Sequence, residues 1–589
     1  MILWLLINGL KHPACRINPN YNPSNKNDDY AFIPRITRKN MSEKRINDAV
    51  HWFINDLSSR VIAESGIPSD RYHLGKLILQ SFNDAPDFVM QIDGATGELE
   101  TNLSALKRTI QCAVAFRNFG LKRGDVMVLM APNHVNIAVP FYAALYLGVI
   151  IAAVDRTLSV KELQESFSVS QPKLVICQSE KAQDIQLALN KLDLNTHIVS
   201  FDKGDYLFNF ADFLEKYEDA SAVEDFKPTD FDPEDTIAFL IATSGTTGLP
   251  KAAAVTHKNI AITNPYVWVS HFNFPTPTRL AMIGSPLQWL TALMTFVMSP
   301  ILRYTRLQTS LLLTPEHAYY LINKYRPSYT ILSPTFMTTL LKSGDRELCD
   351  FSCFELILLG GSAVPKDLID EIKRLTPQTE VLNVYGMSEL TSIGFIPDFS
   401  PPESCGKPLG CFRYRLVDPD TQKDVLKPNV PGELWMKGPG IFKEYYRNLE
   451  ATEETFAEDR WFKTGDMFYR DEHWNYFYVE RIKLLMKYKS YQISPVEVEN
   501  VIRQHPGILD VAVTSIPDQE CGDLPVACVM TRAGYVVTAH EIKHLVKNSL
   551  SDSKQLRGGV IFVNEIPMTA STKVHRRKLK EMARVMDKE

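Results

Sequence analysis

From Thr243 the chain reads Ser244, Gly245, Thr246, Thr247, Gly248, Leu249, Pro250 and Lys251. Hydroxyls, glycine amides and one cation at consecutive positions suit a polyphosphate, whose oxygens accept from backbone N–H groups and are neutralised by an ammonium. The spacing is not that of the common phosphate loop, which requires Gly-Lys-Ser/Thr where this chain has Pro250, Lys251 and Ala252. These residues alone fit a nucleotide loop of another kind or a Ser/Thr-rich loop without a ligand. Two further clusters carry similar chemistry: Gly360, Gly361 and Ser362, then Tyr385, Gly386, Met387, Ser388 and Glu389. Glu389 offers hard oxygen to Mg²⁺, an ion that takes one or two protein carboxylates beside phosphate oxygens; the alternative is a solvated surface carboxylate. Tyr385 could stack on adenine or pack in the core, and Ser388 could bond an α-phosphate or cap a turn.

Each cluster follows an apolar run: Thr236 to Ala242, Leu356 to Leu359 and Val381 to Val384. In open α/β sheets ligands sit beyond the carboxyl ends of the strands, so the three loops are expected to converge from one parallel sheet. Leu368, Ile372 and Leu375 after Pro365 predict a helix. The uncharged run from Ile137 to Val154 approaches the length of a membrane span, but Pro140, Gly148 and the preceding Val126 to Met130 predict a buried strand–helix–strand unit, its helix over 135–147 and second strand over 149–154. From about residue 410 short alternating segments, such as Arg413 to Val417 and Gly432 to Lys437, predict a small β-rich unit. A boundary is expected near 480. Beyond it Ser494, Pro495 and Glu497 spell a capped helix start with a capping box, Val498, Val501 and Ile502 its apolar face, and His505-Pro506 its end.

At 589 residues the chain is long enough for two or more domains. A net charge of -5 and 23% charged residues give no basic excess for nucleic acid and no acidic tail for a basic partner. Nine scattered cysteines, with Cys349 and Cys353 nearest each other, spell neither a zinc site nor a disulfide framework, which favours a reduced intracellular compartment. The apolar start, Met1 to Ile7, lacks a basic leader and a cleavage site; residues 1–40 read as a disordered extension, with Met41 an alternative start.

Taken in order, these motifs resemble those of the acyl-adenylate-forming superfamily of acyl-CoA synthetases, nearest the branch of beetle luciferases, insect luciferase-like acyl-CoA ligases and plant 4-coumarate:CoA ligases. The resemblance runs from about 75 to 585 and rests on Thr243 to Lys251, Gly360-Gly361, Tyr385 to Glu389, Thr464-Gly465-Asp466, Glu480-Arg481, Lys487 to Tyr491, and Lys573. It implies an α/β fold: a large N-terminal domain (41–480) of two α/β subdomains and a small β-barrel, hinged to a small, mobile α+β domain (481–589). It implies ATP, Mg²⁺ and coenzyme A as cofactor and co-substrates, and a small-molecule carboxylic acid, here a medium- or long-chain fatty acid, joined first to AMP and then to CoA. Thr243, Ser244, Gly245, Thr246, Thr247, Gly248 and Lys251 would hold the β- and γ-phosphates, with Gly360, Gly361, Tyr385, Gly386 and Ser388 around the nucleotide. Glu389 would meet the metal, Asp466 the ribose hydroxyls, and Arg481 the nucleotide. Glu480 would be the hinge, or else an interdomain ion pair. Lys573 would bridge carboxylate and α-phosphate in the first step, and Lys487 would act in the second.

Several positions depart from the family pattern. Ala252 and Ala253 replace Gly-Val, Thr572 replaces a glycine before the catalytic lysine, and Ser490 replaces a glycine that the pantetheine thiol approaches. On an extended strand Lys487, Lys489 and Tyr491 would share a face. Gln288 and Trp289 stand in the acyl-pocket segment where luciferases and many aryl ligases have paired histidines. These departures keep two alternatives in view: a catalytically impaired nucleotide- or acyl-binding relative, and a luciferase-like oxidative activity, the latter disfavoured by Gln288 and Trp289. The ending Met586 to Glu589 is not a Ser-Lys-Leu type signal, so the cytoplasm is expected rather than the peroxisome.

Overall fold

The computed structural model describes residues 73–589 except 205–207, 244–250, 271–279, 344, 398–399, 490 and 569–573. Ser244, Gly245, Thr246, Thr247, Gly248, Ser490, Thr572, Lys573 and the 1–40 extension therefore lie outside the described residues, and of Lys487 only the backbone is described.

Two large sheets build most of the chain. In the eight-stranded sheet Val126–Met130, Ile150–Ala153, Leu174–Cys177 and Ile237–Thr243 run parallel. In the seven-stranded sheet Leu280–Ile283, Thr305–Gln308, Tyr329–Leu332, Leu356–Gly360 and Glu380–Val384 do the same. Strands such as Val126–Met130 and Ile150–Ala153 are buried along their whole length, as apolar runs covered on both faces must be. The expected strand–helix–strand unit is present: Ala138–Leu147 is a wholly buried helix between those two parallel strands. Among the described residues no helix is long and apolar enough to cross a membrane.

One expectation is corrected. The three motif loops do not leave one parallel sheet. Leu356–Gly360 and Glu380–Val384 are neighbours in the seven-stranded sheet, whereas Ile237–Thr243 belongs to the eight-stranded one. After Ile237–Thr243 the chain returns antiparallel as Lys251–Thr256, with Thr243 opposite Lys251. A strand followed by a Gly/Ser/Thr segment looks alike in sequence whether a helix or a returning strand follows, and only strand pairing separates the cases.

The β-rich unit is a four-stranded antiparallel sheet that contains Arg413–Val417, Gly432–Lys437, Phe462–Arg470 and Tyr476–Arg481. Tyr476–Arg481 still belongs to it. The next strand, Met486–Tyr488, already pairs in the five-stranded terminal sheet, which is built on the long hairpin Ile508–Asp518 and Gly522–Thr531. Helices Pro495–Ile502, Ala539–Ser549 and Arg576–Val585 complete that α+β unit.

Two local readings also change. Ser494 does occupy the N-cap with Pro495 first in the helix, and Val498, Val501 and Ile502 are buried, but no capping box forms. The Ser494 hydroxyl donates instead to the Val479 carbonyl at 3.2 Å, and Glu497 pairs with Lys554 at 2.5 Å, so long-range partners outcompete the local pair. Lys487, Lys489 and Tyr491 do not lie along one strand. Met486–Tyr488 pairs with Tyr491–Ile493, Tyr488 opposite Tyr491, and Lys489 has φ 46° at the turn between them.

Candidate active site

The two large sheets and the four-stranded sheet enclose one cleft of about 1540 Å³. Thr243 and Lys251 reach it from the first sheet, Gly360, Gly361, Tyr385, Ser388 and Glu389 from the strand ends of the second and the segments that follow them, and Asp466 and Arg481 from the third. Gly386, Gln288 and Trp289 line it too. So the motif residues do converge, from three sheets rather than one.

Asp466 and Arg481 are cross-strand partners on Phe462–Arg470 and Tyr476–Arg481, and strand register alone makes neighbours of two motifs far apart in sequence. The Arg481 Nε lies 3.2 Å from Asp466 Oδ1, and the Tyr385 hydroxyl donates to Oδ2 at 2.7 Å. Asp466 is 2% exposed, so its charge is held by these partners rather than by water. Its carboxylate in turn pushes the Arg481 guanidinium further above its ordinary range. Thr464 and Gly465 aim the aspartate. The Thr464 hydroxyl accepts from Asp466 N–H at 3.1 Å and donates to the Leu434 carbonyl at 2.7 Å, while Gly465 takes φ +70°, a conformation that favours glycine. Gly360 has a different reason to be glycine: a Cβ there would sit 2.7 Å from the Val384 carbonyl oxygen of the neighbouring strand.

Tyr385 lines the cleft, and its hydroxyl is already engaged by Asp466. Its ring meets Phe468 edge-on at 4.8 Å, and burial first, then the Asp466 charge, pushes the phenol well up. The sequence suggested only a ring for adenine; the link to Asp466 was not visible there.

Glu389 is buried at the start of a short 3-10 turn. The Tyr445 hydroxyl donates to its Oε1 at 2.8 Å, and its backbone carbonyl accepts from Phe442 N–H at 2.8 Å. Burial pushes the carboxyl above its usual range, with the Tyr445 bond acting in the opposite sense. The Lys251 ammonium lies over the Tyr445 ring, 4.9 Å from its centre. Among the described residues no group of three or more His, Cys, Asp or Glu side chains could hold a metal. A lone buried carboxylate in a cleft that also holds a lysine suits an ion that draws its other ligands from phosphate and water, as Mg²⁺ does. Tyr445 is a site residue that sequence reasoning missed. Its place depends on pairing opposite Ala253, which no local pattern announces.

The cleft also has an apolar lining: Trp289 stands at the N-cap of the helix Leu290–Leu302, and Met294, Met298, Ile331, Leu332 and Phe336 line the cavity. Glu480, next to Arg481 on the strand Tyr476–Arg481, does not itself line the cleft. It is 2% exposed, and its Oε1 accepts from the Tyr478 hydroxyl at 3.1 Å and from Arg481 N–H at 2.9 Å. Among the described residues its Oε2 has no hydrogen-bond partner, and burial pushes its carboxyl up while the nearby Arg576 works against that. The guanidinium of Arg576 is itself bonded to Glu499 at 2.7 Å and to the Val513 carbonyl.

The family model described as AMP-binding enzyme matches residues 86–446, and its C-terminal domain model matches 497–573. The chain belongs to the AMP-binding enzyme family. This family member is 33% identical to a luciferin 4-monooxygenase of Photuris pensylvanica over 81% of its own length and 88% of the relative's. It is 29% identical to the peroxisomal OPC-8:0-CoA ligase 1 of Arabidopsis thaliana, covering 84% of this chain and 90% of that one. An anthranilate CoA ligase solved with anthranoyl-AMP shares the fold, with a TM-score of 0.79 and 21% identity over 88% of this chain and 98% of the other. The expected superfamily and fold class are thereby borne out, as is the expectation of an AMP-forming enzyme of the acid–thiol ligase type.

Proposed function

We propose that this AMP-binding enzyme is an ATP-dependent acyl-CoA ligase for a medium- or long-chain fatty acid. The observation that carries the reading is the single cleft that joins the Tyr385–Asp466–Arg481 cluster to an apolar chamber at Trp289, Met294 and Met298. The same cleft offers buried polar groups to a nucleotide and apolar side chains to an acyl chain.

In the first step a carboxylate oxygen of the acid attacks the α-phosphorus of ATP. The bond to the β-phosphate breaks, and pyrophosphate leaves with its electron pair. The barrier is largely that of bringing two anions together in line. Lys251 and Thr243, with the hydroxyls and amides of 244–248, are assigned to the leaving phosphates, Asp466 and Tyr385 to the ribose and adenine side, and Arg481 to the nucleotide. Glu389 is assigned to Mg²⁺, which supplies charge neutralisation on the phosphates when bound. Lys573 is assigned to the charge between carboxylate and α-phosphate. In the second step the thiol sulfur of CoA attacks the acyl carbon, AMP departs, and the thiol proton passes to solvent. Lys487, Lys489 and Ser490 are assigned to this half. A division near residue 480, with Glu480 as hinge, is part of the same reading, because one cleft must serve two transition states.

The likeness to a luciferin 4-monooxygenase favours one second reading, an oxidative fate for the acyl-AMP. Incubating the purified chain with ATP, Mg²⁺, CoA and a panel of fatty, aryl and luciferin-type acids separates the two. The ligase reading expects AMP and a thioester in equal amounts from an apolar acid. Oxygen uptake with light and no thioester would favour the oxidative reading.

A further inference from the structure

We infer that Tyr445 is a positioning residue for the nucleotide end of the cleft: its hydroxyl fixes the Glu389 carboxylate for a divalent cation while its ring carries the Lys251 ammonium. The inference rests on the assignment of Glu389 to the metal and adds a residue to it.

Glu444–Tyr445 is the edge strand of the eight-stranded sheet, antiparallel to Lys251–Thr256, with Tyr445 opposite Ala253 and Glu444 opposite Ala254. Side chains two apart on a strand share a face, so Lys251 is the diagonal neighbour of Tyr445 on the side that faces the cleft. The 4.9 Å between Nζ and the ring centre falls within the range of a cation–π contact. Ala253 is fully buried; a larger side chain at that position would crowd the phenol that packs opposite it.

The hydroxyl end reaches the 3-10 turn Ser388–Leu390, which follows the strand Glu380–Val384 of the other sheet. It donates to Glu389 Oε1 at 2.8 Å, and a second link three residues earlier, Phe442 N–H to the Glu389 carbonyl at 2.8 Å, fixes the backbone of the same two segments. The tyrosine is held from behind as well: its N–H donates to the Thr452 hydroxyl at 3.0 Å, and Thr452 belongs to the helix Leu449–Thr455. At 8% exposure the phenol has little water to turn to. One side chain thus spans the cation expected at the phosphates and the carboxylate expected at the metal, and it sets the spacing between them. A hydrogen-bond donor to a metal-ligating carboxylate fixes its orientation, and losing such a partner typically costs 10–100-fold in metal affinity.

The two ends of Tyr445 can be separated. Tyr445→Phe keeps the ring and its packing and removes only the hydroxyl; Tyr445→Leu removes both. The measurement is ATP binding to the full chain by calorimetry, without metal and across a Mg²⁺ titration, with Mn²⁺ binding followed in parallel by electron paramagnetic resonance. Tyr445→Phe is expected to raise the half-saturating Mg²⁺ and Mn²⁺ concentrations about 10–100-fold while leaving metal-free ATP affinity within about twofold. Tyr445→Leu is expected to share that defect and to weaken metal-free ATP binding a further two- to fivefold or so, the range of a cation–π contact. Glu389→Gln is the reference. If Glu389→Gln shifts the metal dependence and Tyr445→Phe does not, the role given to Tyr445 is overturned. If neither shifts it, the metal assignment of Glu389 itself falls.

Discussion

Asp466→Asn tests the nucleotide end of the cleft with little change of shape. The aspartate has two oxygens with two separate tasks: Oδ2 accepts from Tyr385 and Oδ1 faces Arg481. An asparagine can offer its single oxygen to one of them, and its amide must point at the other. A hydrogen bond to a charged group contributes about 1.5–3 kcal/mol, so the loss of one such contact, and of the charge that would accept from a ribose hydroxyl, should cost about that much in nucleotide binding. At 1.4 kcal/mol per factor of ten, AMP and ATP affinity should fall about 10–100-fold. The effect on stability should be smaller, because Arg481 is 39% exposed and water can replace its partner. The assay is calorimetric binding of AMP and of 2′,3′-dideoxy-AMP to both proteins. Wild type should lose about the same 10–100-fold on removal of the hydroxyls as on Asp466→Asn, and the variant should no longer distinguish the two ligands. If wild type binds both ligands alike, or the variant still discriminates, Asp466 does not read the ribose.

Three further outcomes follow from particular residues. Glu480 is buried, its Oε2 unbonded among the described residues, and its carboxyl pushed above its ordinary range. The folded state thus binds its proton more tightly than the unfolded chain, and the cost of the bare charge is present at neutral pH and relieved as pH falls through the raised value. Glu480→Gln should therefore raise stability at pH 7 by about 1 kcal/mol in a denaturant titration and flatten its pH dependence; a loss of that size would show that attraction to Arg576 outweighs burial. Trp289→Ala should raise KM for the preferred long acid about tenfold, the equivalent of about two buried methylenes, with KM for ATP unchanged. An equal rise in both would place Trp289 outside the acyl chamber. Lys573→Ala should abolish acyl-AMP formation and leave ATP binding within a few-fold, as expected of a charge needed only in the transition state; persistence of adenylation in a rapid-quench experiment would remove the lysine from that step.

Much of the fold could be read from the chain because its core strands are short, largely apolar runs. Val126 to Met130, Leu356 to Leu359 and Val381 to Val384 are examples, and all three are strands. What escaped was what depends on pairing. The sheet to which Ile237–Thr243 belongs, the cross-strand meeting of Asp466 with Arg481, and the placement of Tyr445 beside Lys251 are all set by register between distant segments. Local rules failed where a distant partner competed. The capping box at Ser494 and Glu497 gave way to Val479 and Lys554, and the expected strand through Lys489 is broken by a hairpin turn. The motif order was a better guide than the expected topology because the described motif residues line one cleft whichever sheet carries them.

The central claim is that this cleft makes an acyl-adenylate. It is met most directly by acid-dependent exchange of labelled pyrophosphate into ATP, measured on the purified chain without CoA. Exchange that requires an apolar carboxylic acid and Mg²⁺, and that disappears in Asp466→Asn and Lys573→Ala, is the predicted result. Absence of exchange with every acid tested, in a protein that still binds ATP, would contradict it.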